Sequence, residues 1–256
     1  MDKLQRPGIS LRAIAPNAVT AMALCTGLSG AWFAMQGQWE AAIAAIVGAG
    51  ILDGMDGRIA RMLKGESKFG AELDSLSDVT AFGVTPALVT YMWALQHMPR
   101  FGWSITVFFA LCMALRLARF NARIDVQDQP HKSAGFNTGV PAPAGAGLAL
   151  FPMIVWLETG LDLARNYYLV APWLLFVALL MVSSIATFSW KSIRIPADMR
   201  FFALVAIAGF AAALITAPLI TLAAICVVYL VLIPLSMWRY GLVKKARNAA
   251  LPSEVA

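Results

Sequence analysis

Residues 41–61 read AAIAAIVGAGILDGMDGRIAR, a long apolar run that leads directly into closely spaced charged residues. Similar runs, rich in Ala, Leu, Ile and Val and without apolar–polar alternation, recur throughout the 256 residues. Hydrophobic residues make up 60% of the chain and charged residues only 13%, whereas a soluble domain carries about 25% charged residues. The sequence therefore predicts an all-α integral membrane protein, and it excludes a soluble enzyme, a disordered chain and a transmembrane β-barrel.

Apolar runs bounded by charges, proline or glycine predict a polytopic bundle of about eight transmembrane helices, with six as the alternative. We divide the chain into a cytoplasmic N-terminal segment (1–13), a transmembrane domain (14–239) and a basic cytoplasmic tail (240–256). The predicted helices cover residues 14–35, 39–63, 68–97, 101–122, 143–158, 167–188, 200–217 and 219–239.

The distribution of basic residues predicts how this bundle is oriented. Eighteen of the twenty Lys and Arg residues fall at the termini or in connections on one side of the membrane, and only Arg100 and Arg165 fall on the other. Because Lys and Arg accumulate in cytoplasmic loops, both termini are predicted to be cytoplasmic. We therefore expect a multi-pass protein of the cytoplasmic membrane. Its net charge of +6 reflects these basic connections, and no nucleic-acid partner is expected.

Four acidic residues, Asp53, Asp56, Asp74 and Asp78, lie within or beside two of the apolar helices. At about 100° per residue, each helix presents its two carboxylates on one face. The connection between the helices, residues 64–68, contains a glycine suited to end a helix (Gly65) and a serine suited to begin one (Ser67). A helical hairpin with this turn brings all four acids together near the cytoplasmic side.

Carboxylates inside a membrane are costly and are functional by default. Structural ion pairs with Arg58, Arg61 and Lys68 are the alternative explanation for these four acids. Converging carboxylates favour Mg²⁺ or Mn²⁺, and four negative charges suit two ions, an arrangement that clamps a phosphoryl group. The glycines leave room for a nucleotide, and Arg61 is suited to meet phosphate charge.

The pattern Asp53-x-x-Asp56-Gly57-x-x-Ala60-Arg61-x8-Gly70-x3-Asp74-x3-Asp78 resembles the signature of the CDP-alcohol phosphatidyltransferase family. The resemblance implies that Asp53, Asp56 and Asp74 bind two metal ions, and that Asp78 belongs to the same metal-binding set and acts as the base. It also implies a homodimer. The residues that it assigns to the CDP moiety are Gly57, Ala60, Arg61 and Gly70, together with Asn17 and Thr20 from an upstream Pro16-Asn17-x-x-Thr20 match.

Further segments, 74–87, 116–121 and 136–144, resemble the phosphatidylserine synthase branch of this family. This implies transfer of a phosphatidyl group from CDP-diacylglycerol to L-serine. Candidate residues for the serine site are Arg116, Arg119 and Asn121, because a serine carboxylate requires a cation. The two arginines have an equally simple explanation as topology anchors at the cytoplasmic end of a helix.

Two alternative functions stay open at the level of sequence. The same chemistry would serve another acceptor, such as glycerol 3-phosphate or inositol phosphate. A divalent-cation transporter would use the four acids as an ion path, although transporters usually place such residues near the middle of the bilayer.

Overall fold

The structure, a computed structural model, describes residues 11–122, 136–188 and 199–249. Residues 1–10 and 250–256 of the two predicted terminal segments lie outside the described residues, as do the connections at 123–135 and 189–198. Within the described residues the chain is helical apart from one short β-ribbon, which confirms the predicted helical class. The chain divides into two compact units, Met1–Leu117 and Ala118–Ala256.

The first unit is built around a tight hairpin of two helices, α1 (Leu11–Met35) and α2 (Trp39–Leu63). Their turn contains Gly37, whose φ of 73° is readily adopted only by a residue without a side chain. Alanine and isoleucine side chains fill the contact between the helices, and Ala42, Ile43, Ile46 and Ala49 are fully buried there. Helix α1 also contacts the elements that follow α2, so it forms the centre of the unit.

After α2 the chain forms a nearly continuous helical stretch. Helix α3 (Lys68–Asp78) passes through a π-helical turn (Val79–Val84) into α4 (Thr85–Trp93) without leaving helical dihedral angles. The backbone N–H of Thr85 bonds to the carbonyl of Thr80, five residues back. Such turns are frequent at functional sites, and this one begins immediately after Asp78.

Two close contacts hold the π-helical turn in place. A Cβ atom at Gly27 of α1 would lie 2.5 Å from the Cβ of Ala81. A Cβ atom at Gly83 would lie 2.8 Å from the Cγ of Met113, which belongs to helix α5 (Gly102–Asn121). Both glycines are therefore required by close packing, and Phe82, which follows Ala81 in the turn, is fully buried.

The described residues of the second unit comprise the end of α5, the β-ribbon, a short 3₁₀ turn (Asp162–Arg165) and four further helices. Strand β1 (Phe136–Thr138) pairs antiparallel with β2 (Ala186–Phe188). Helix α6 (Ala142–Thr159) packs against α7 (Tyr167–Val182) and α9 (Pro218–Ala249), and α9 also contacts α8 (Arg200–Thr216) and β2.

The sixth predicted helix, 167–188, is too long in the prediction. Helix α7 ends at Val182, and Ser183 after it has an extended conformation with ψ of 158°. The backbone N–H of Gly139 donates to the carbonyl of Ile185 at 2.7 Å, and the ladder with β1 begins at the next residue. Pairing with a distant segment thus replaces the last turn and a half of helix. The other seven predicted helices agree with the structure to within a few residues, except that α9 continues to Ala249.

Four described segments are long and apolar enough to cross a membrane, namely Ile14–Met35, Gly102–Asn121, Ala142–Thr159 and Pro218–Gly241. Helices α7 and α8 are apolar but shorter. Helix α2 has sufficient length at 25 residues but carries Glu40, Asp53 and Asp56. The protein is therefore a helical membrane protein.

Candidate active site

The turn between α2 and α3 brings the two acidic helices together. Ser67 caps α3, because its Oγ accepts a hydrogen bond from the backbone N–H of Gly70 at 3.0 Å. The left-handed residue that ends α2 is Lys64, with φ of 51°, rather than the predicted Gly65. Gly65 instead donates its backbone N–H to the carbonyl of Ala60 at 2.9 Å. The hairpin forms as predicted, and α2 ends at Leu63, the predicted last residue.

Three of the four predicted metal ligands meet at this hairpin. Asp53 and Asp56 from α2 and Asp74 from α3 each offer an oxygen, and these oxygens lie within 4.8 Å of one another. Asp56 is 5% exposed, and the other two carboxylates are half-buried. Three converging oxygen donors at such spacing suit a divalent cation that prefers carboxylate and water ligands.

Asp78 lies one turn beyond Asp74, and its carboxyl group is within hydrogen-bonding reach of Asp53. Its Oδ1 atom is buried and has no hydrogen-bond partner among the described residues. Two carboxyl groups this close repel each other unless a proton or a cation lies between them. The positive charge of Arg116 on α5 also acts on Asp78. The donor set thus fits a divalent metal centre next to an acid with a free acceptor atom.

The alternative of structural ion pairs is less consistent with this geometry. Arg58 and Lys68 are exposed, whereas the acids turn toward one another. Arg61 is also exposed and lies on the wall of a neighbouring cavity. The basic residues are therefore available to an anion that approaches the acidic cluster from outside.

A cavity of about 330 Å³ opens beside the acidic cluster, between α1, α2, the hairpin turn and α3. All six residues predicted to hold a nucleotide line this cavity, and two metal-ligand candidates, Asp56 and Asp74, form part of its wall. These six residues are Asn17, Thr20, Gly57, Ala60, Arg61 and Gly70. Their role in nucleotide binding stays a prediction.

Two glycines in this wall have different surroundings. A Cβ atom at Gly70 would lie 2.7 Å from the side-chain oxygen of Asn17, so a side chain at this position would have to displace that of Asn17. A Cβ atom at Gly57 would meet only the Nη1 atom of Arg61, at 3.8 Å. Gly57 therefore leaves open space on the cavity side of α2.

Two hydrogen bonds join α1 to both acidic helices. The Thr20 hydroxyl donates to Asp56 Oδ2 at 2.6 Å, and the Ser77 hydroxyl donates to the backbone carbonyl of Thr20 at 3.4 Å. Sequence reasoning did not single out Ser77. Its position between Asp74 and Asp78 was the available signal, but a serine in a helix has many simpler explanations.

The three candidates for the acceptor site fall in different units. Arg116 belongs to the first unit, whereas Arg119 and Asn121 belong to the second. Arg119 donates its Nη1 and Nη2 to the carbonyls of Val182 and Ser183, at 2.7 and 3.1 Å. It therefore satisfies carbonyls that helix α7 leaves open at its carboxyl end. Whether any of the three contacts an acceptor stays a prediction.

Comparison with known proteins adds independent information about this site. Residues 13–190 match the family model described as CDP-alcohol phosphatidyltransferase, and residues 198–234 match one described as CDP-alcohol phosphatidyltransferase 2. The first match includes the whole acidic hairpin and the helix α1 that lines the cavity.

Similar proteins bear the name CDP-diacylglycerol–serine O-phosphatidyltransferase. The protein of Mycobacterium bovis is 38% identical over 232 residues, which cover 91% of this chain and 80% of the relative. The protein of Helicobacter pylori strain J99 is 34% identical, with 75% of this chain and 78% of the relative covered. The protein of Methanocaldococcus jannaschii is 38% identical over 53% of this chain and 57% of the relative. Because the family model matches most of this chain, residues 13–190, the chain belongs to the CDP-alcohol phosphatidyltransferase family.

Proposed function

We propose that this protein is a CDP-diacylglycerol–serine O-phosphatidyltransferase. The observation that carries the proposal is the position of the acidic cluster beside a cavity that is lined by Asp56, Asp74 and all six nucleotide-binding candidates. The name of the relatives that cover 75–91% of the chain supports serine as the acceptor. In the reaction, the hydroxyl oxygen of serine bonds to the lipid-side phosphorus of CDP-diacylglycerol. The bond from that phosphorus to the CMP oxygen breaks, and CMP leaves.

Asp53, Asp56 and Asp74 are the residues that would hold two Mg²⁺ or Mn²⁺ ions. Bound there, such ions would neutralise the charge of the diphosphate and of the departing CMP. The protein supplies the geometry, since two helices joined by a short capped turn fix the three carboxylates relative to one another. The CDP-alcohol phosphatidyltransferase family uses divalent metals, and we propose that Mg²⁺ or Mn²⁺ is the metal in this protein.

Asp78 would accept the proton of the serine hydroxyl. Its buried Oδ1 has no hydrogen-bond partner among the described residues, so an acceptor atom is available at the site. A carboxylate is a weak base, and general base catalysis contributes about 10²–10⁴-fold. Orientation of the hydroxyl beside the phosphorus must therefore supply much of the remaining acceleration.

The CMP part of the lipid nucleotide would occupy the cavity between α1, α2 and α3. Small residues, Gly57, Ala60 and Gly70, keep that space open, and Asn17 and Thr20 offer polar groups from α1. The exposed guanidinium of Arg61 is suited to pair with a phosphate through two parallel hydrogen bonds.

The membrane arrangement that we propose has eight spans, formed by α1, α2, the α3–α4 stretch, α5, α6, α7, α8 and α9. The distribution of the basic residues supports cytoplasmic termini and a site that faces the cytoplasm. The acyl chains would enter from the bilayer, while serine and CMP would exchange with the cytosol. Labelling of single introduced cysteines with a membrane-impermeant maleimide tests this topology at each connection.

We also propose that the protein is a homodimer, as expected from the family resemblance. Helix α8 supports this arrangement, because no described side chain on it is buried. Its apolar surface is available to lipid or to a second copy. The mass of the detergent-solubilised protein, corrected for bound detergent, distinguishes one copy from two.

One assay tests the proposed reaction directly. Purified protein is supplied with CDP-diacylglycerol, Mn²⁺ or Mg²⁺, and labelled serine, glycerol 3-phosphate or inositol phosphate in separate reactions. Serine-dependent formation of phosphatidylserine with release of CMP is expected. If only a phosphorylated polyol supports turnover, that polyol and not serine is the acceptor, and the transfer of a phosphatidyl group from CDP-diacylglycerol still holds. Metal flux in liposomes without CMP release from any acceptor would favour a transporter instead.

A further inference from the structure

A short side-chain contact to the acidic cluster comes from helix α1. The Thr20 hydroxyl lies 2.6 Å from Asp56 Oδ2 and 3.1 Å from the backbone carbonyl of Pro16. A threonine hydroxyl has a single proton to donate. The shorter distance is typical of an O–H group that donates to a charged carboxylate, so the proton belongs to the bond with Asp56.

Burial makes this bond hard to replace. Thr20 is 4% exposed and Asp56 is 5% exposed, so bulk water has little access to either group. Without the hydroxyl, Asp56 Oδ2 would lose its donor in a place where a buried acceptor is costly to leave unsatisfied. With the hydroxyl in place, the orientation of the Asp56 carboxylate is fixed, and this carboxylate contributes one oxygen to the converging set formed with Asp53 and Asp74.

A second contact extends this link to α3. Ser77 is 3% exposed, and its hydroxyl donates to the backbone carbonyl of Thr20 at 3.4 Å. Ser77 lies between Asp74 and Asp78 on the same helix. One residue of α1 therefore touches the acidic part of α2 through its side chain and the acidic part of α3 through its backbone.

We propose that Thr20 is a positioning residue for the metal centre: its hydroxyl orients the Asp56 carboxylate, and Ser77 holds α3 in register with it. This assigns Thr20 a role beyond contact with a nucleotide, and it rests on the proposed use of the acidic cluster as a metal site. Partners that orient a metal ligand typically contribute about 10- to 100-fold to metal affinity. Thr20 is therefore expected to affect metal binding even when no nucleotide is present.

The test measures Mn²⁺ binding to the purified full-length protein, without substrate, from the electron paramagnetic resonance signal of free Mn²⁺. Thr20→Val keeps the branched shape and removes the hydroxyl, whereas Thr20→Ser keeps the hydroxyl. Thr26→Val is the matched control, because Thr26 lies on the same helix and its hydroxyl donates within that helix, to the carbonyl of Met22 at 2.7 Å. We expect Thr20→Val to weaken Mn²⁺ binding about 10-fold or more, with Thr20→Ser and Thr26→Val close to the unmodified protein.

Unchanged Mn²⁺ affinity in Thr20→Val, together with weaker CMP binding, would make Thr20 a nucleotide contact alone and overturn the proposal. If melting curves show that Thr20→Val does not fold, Ser77→Ala decides. Weaker Mn²⁺ binding in Ser77→Ala, with normal binding in Thr20→Ser, supports the link between the helices, and normal binding in both contradicts it. Failure of the unmodified protein to bind Mn²⁺ would instead reject the metal site of the proposed function, and with it the role of Thr20.

Discussion

The side-chain oxygen of Asn17 lies 2.7 Å from the point that a Cβ atom at Gly70 would occupy. Helices α1 and α3 are therefore in contact at the cavity proposed for the nucleotide, and a side chain at position 70 would have to displace that of Asn17 or move α3. The same two helices meet again one to two turns further along, where Ser77 donates to the carbonyl of Thr20. The cavity and the acidic cluster are thus held by one pair of helix contacts, which couples the shape of the first to the geometry of the second.

Gly70→Ala is expected to weaken binding of CDP-diacylglycerol. The added methyl group must displace Asn17 or push α3 away from α1, and displacements of binding groups on this scale cost roughly 10-fold or more. The KM for CDP-diacylglycerol is expected to rise more than kcat falls. Gly54→Ala is the control, because a Cβ atom there meets no heavy atom within 4 Å. That variant is expected to be active and more stable by about 0.5–1 kcal/mol, since alanine favours a helix over glycine. Equal kinetics in the two variants would show that the close contact has no role in substrate binding.

Asp53→Asn, Asp56→Asn and Asp74→Asn each keep the size of the side chain and remove one charged ligand. Because a bound metal contributes several kcal/mol of charge stabilisation, turnover is expected to fall by about 10²-fold or more in each variant. A chelator is expected to abolish activity of the unmodified protein, and Mn²⁺ or Mg²⁺ to restore it. Both measurements use release of CMP. Full activity in excess chelator would exclude a metal-dependent reaction.

The acidic hairpin was predictable from sequence because it depends on local rules. Four carboxylates at helical spacing, with Ser67 placed to cap α3, determine which faces meet. The π-helical turn after Asp78 was not predictable in this way, because residues 79–84 contain no proline or charged residue to mark it. It depends instead on tertiary contacts of Gly27 with Ala81 and of Gly83 with Met113.

Contacts between distant residues account for the other differences. The end of α7 depends on pairing of residues 186–188 with 136–138, which an apolar run cannot reveal. The bond from Thr20 to Asp56 joins residues 36 positions apart. Sequence placed both residues at the site, but only the structure shows that they touch, and this contact changes the role that Thr20 is expected to have.

Asp78→Asn is expected to separate catalysis from binding. The amide cannot accept the serine proton, so kcat is expected to fall by about 10²–10⁴-fold, the usual contribution of a general base. The three converging ligands are unchanged, so affinity for CDP-diacylglycerol is expected to stay close to normal. Equilibrium binding of the lipid nucleotide, measured in the presence of metal, provides the second readout. If that affinity is lost as completely as in Asp56→Asn, Asp78 is mainly a metal ligand and not the base.

Arg116→Ala and Arg119→Ala are expected to have different effects, although both residues are candidates for the serine site. Arg116 acts electrostatically on Asp78, so a serine carboxylate bound near the reacting hydroxyl would lie within its reach. Loss of one charge-assisted hydrogen bond costs about 1.5–3 kcal/mol, which corresponds to roughly a 10- to 150-fold rise in the KM for serine. The KM for CDP-diacylglycerol is expected to change less.

Arg119 is already engaged by the carbonyls of Val182 and Ser183 at the end of α7. Its replacement by alanine leaves these half-buried acceptors without their donor and is expected to lower stability by about 1 kcal/mol or more. The readout is the melting temperature in detergent, measured beside the serine KM, and Arg119→Lys serves as a charge-conserving control that cannot donate to both carbonyls in the same planar geometry. A normal melting temperature with a raised serine KM in Arg119→Ala would place Arg119 at the acceptor after all. A normal serine KM in both alanine variants, and in Asn121→Ala, would leave all three residues with a structural role.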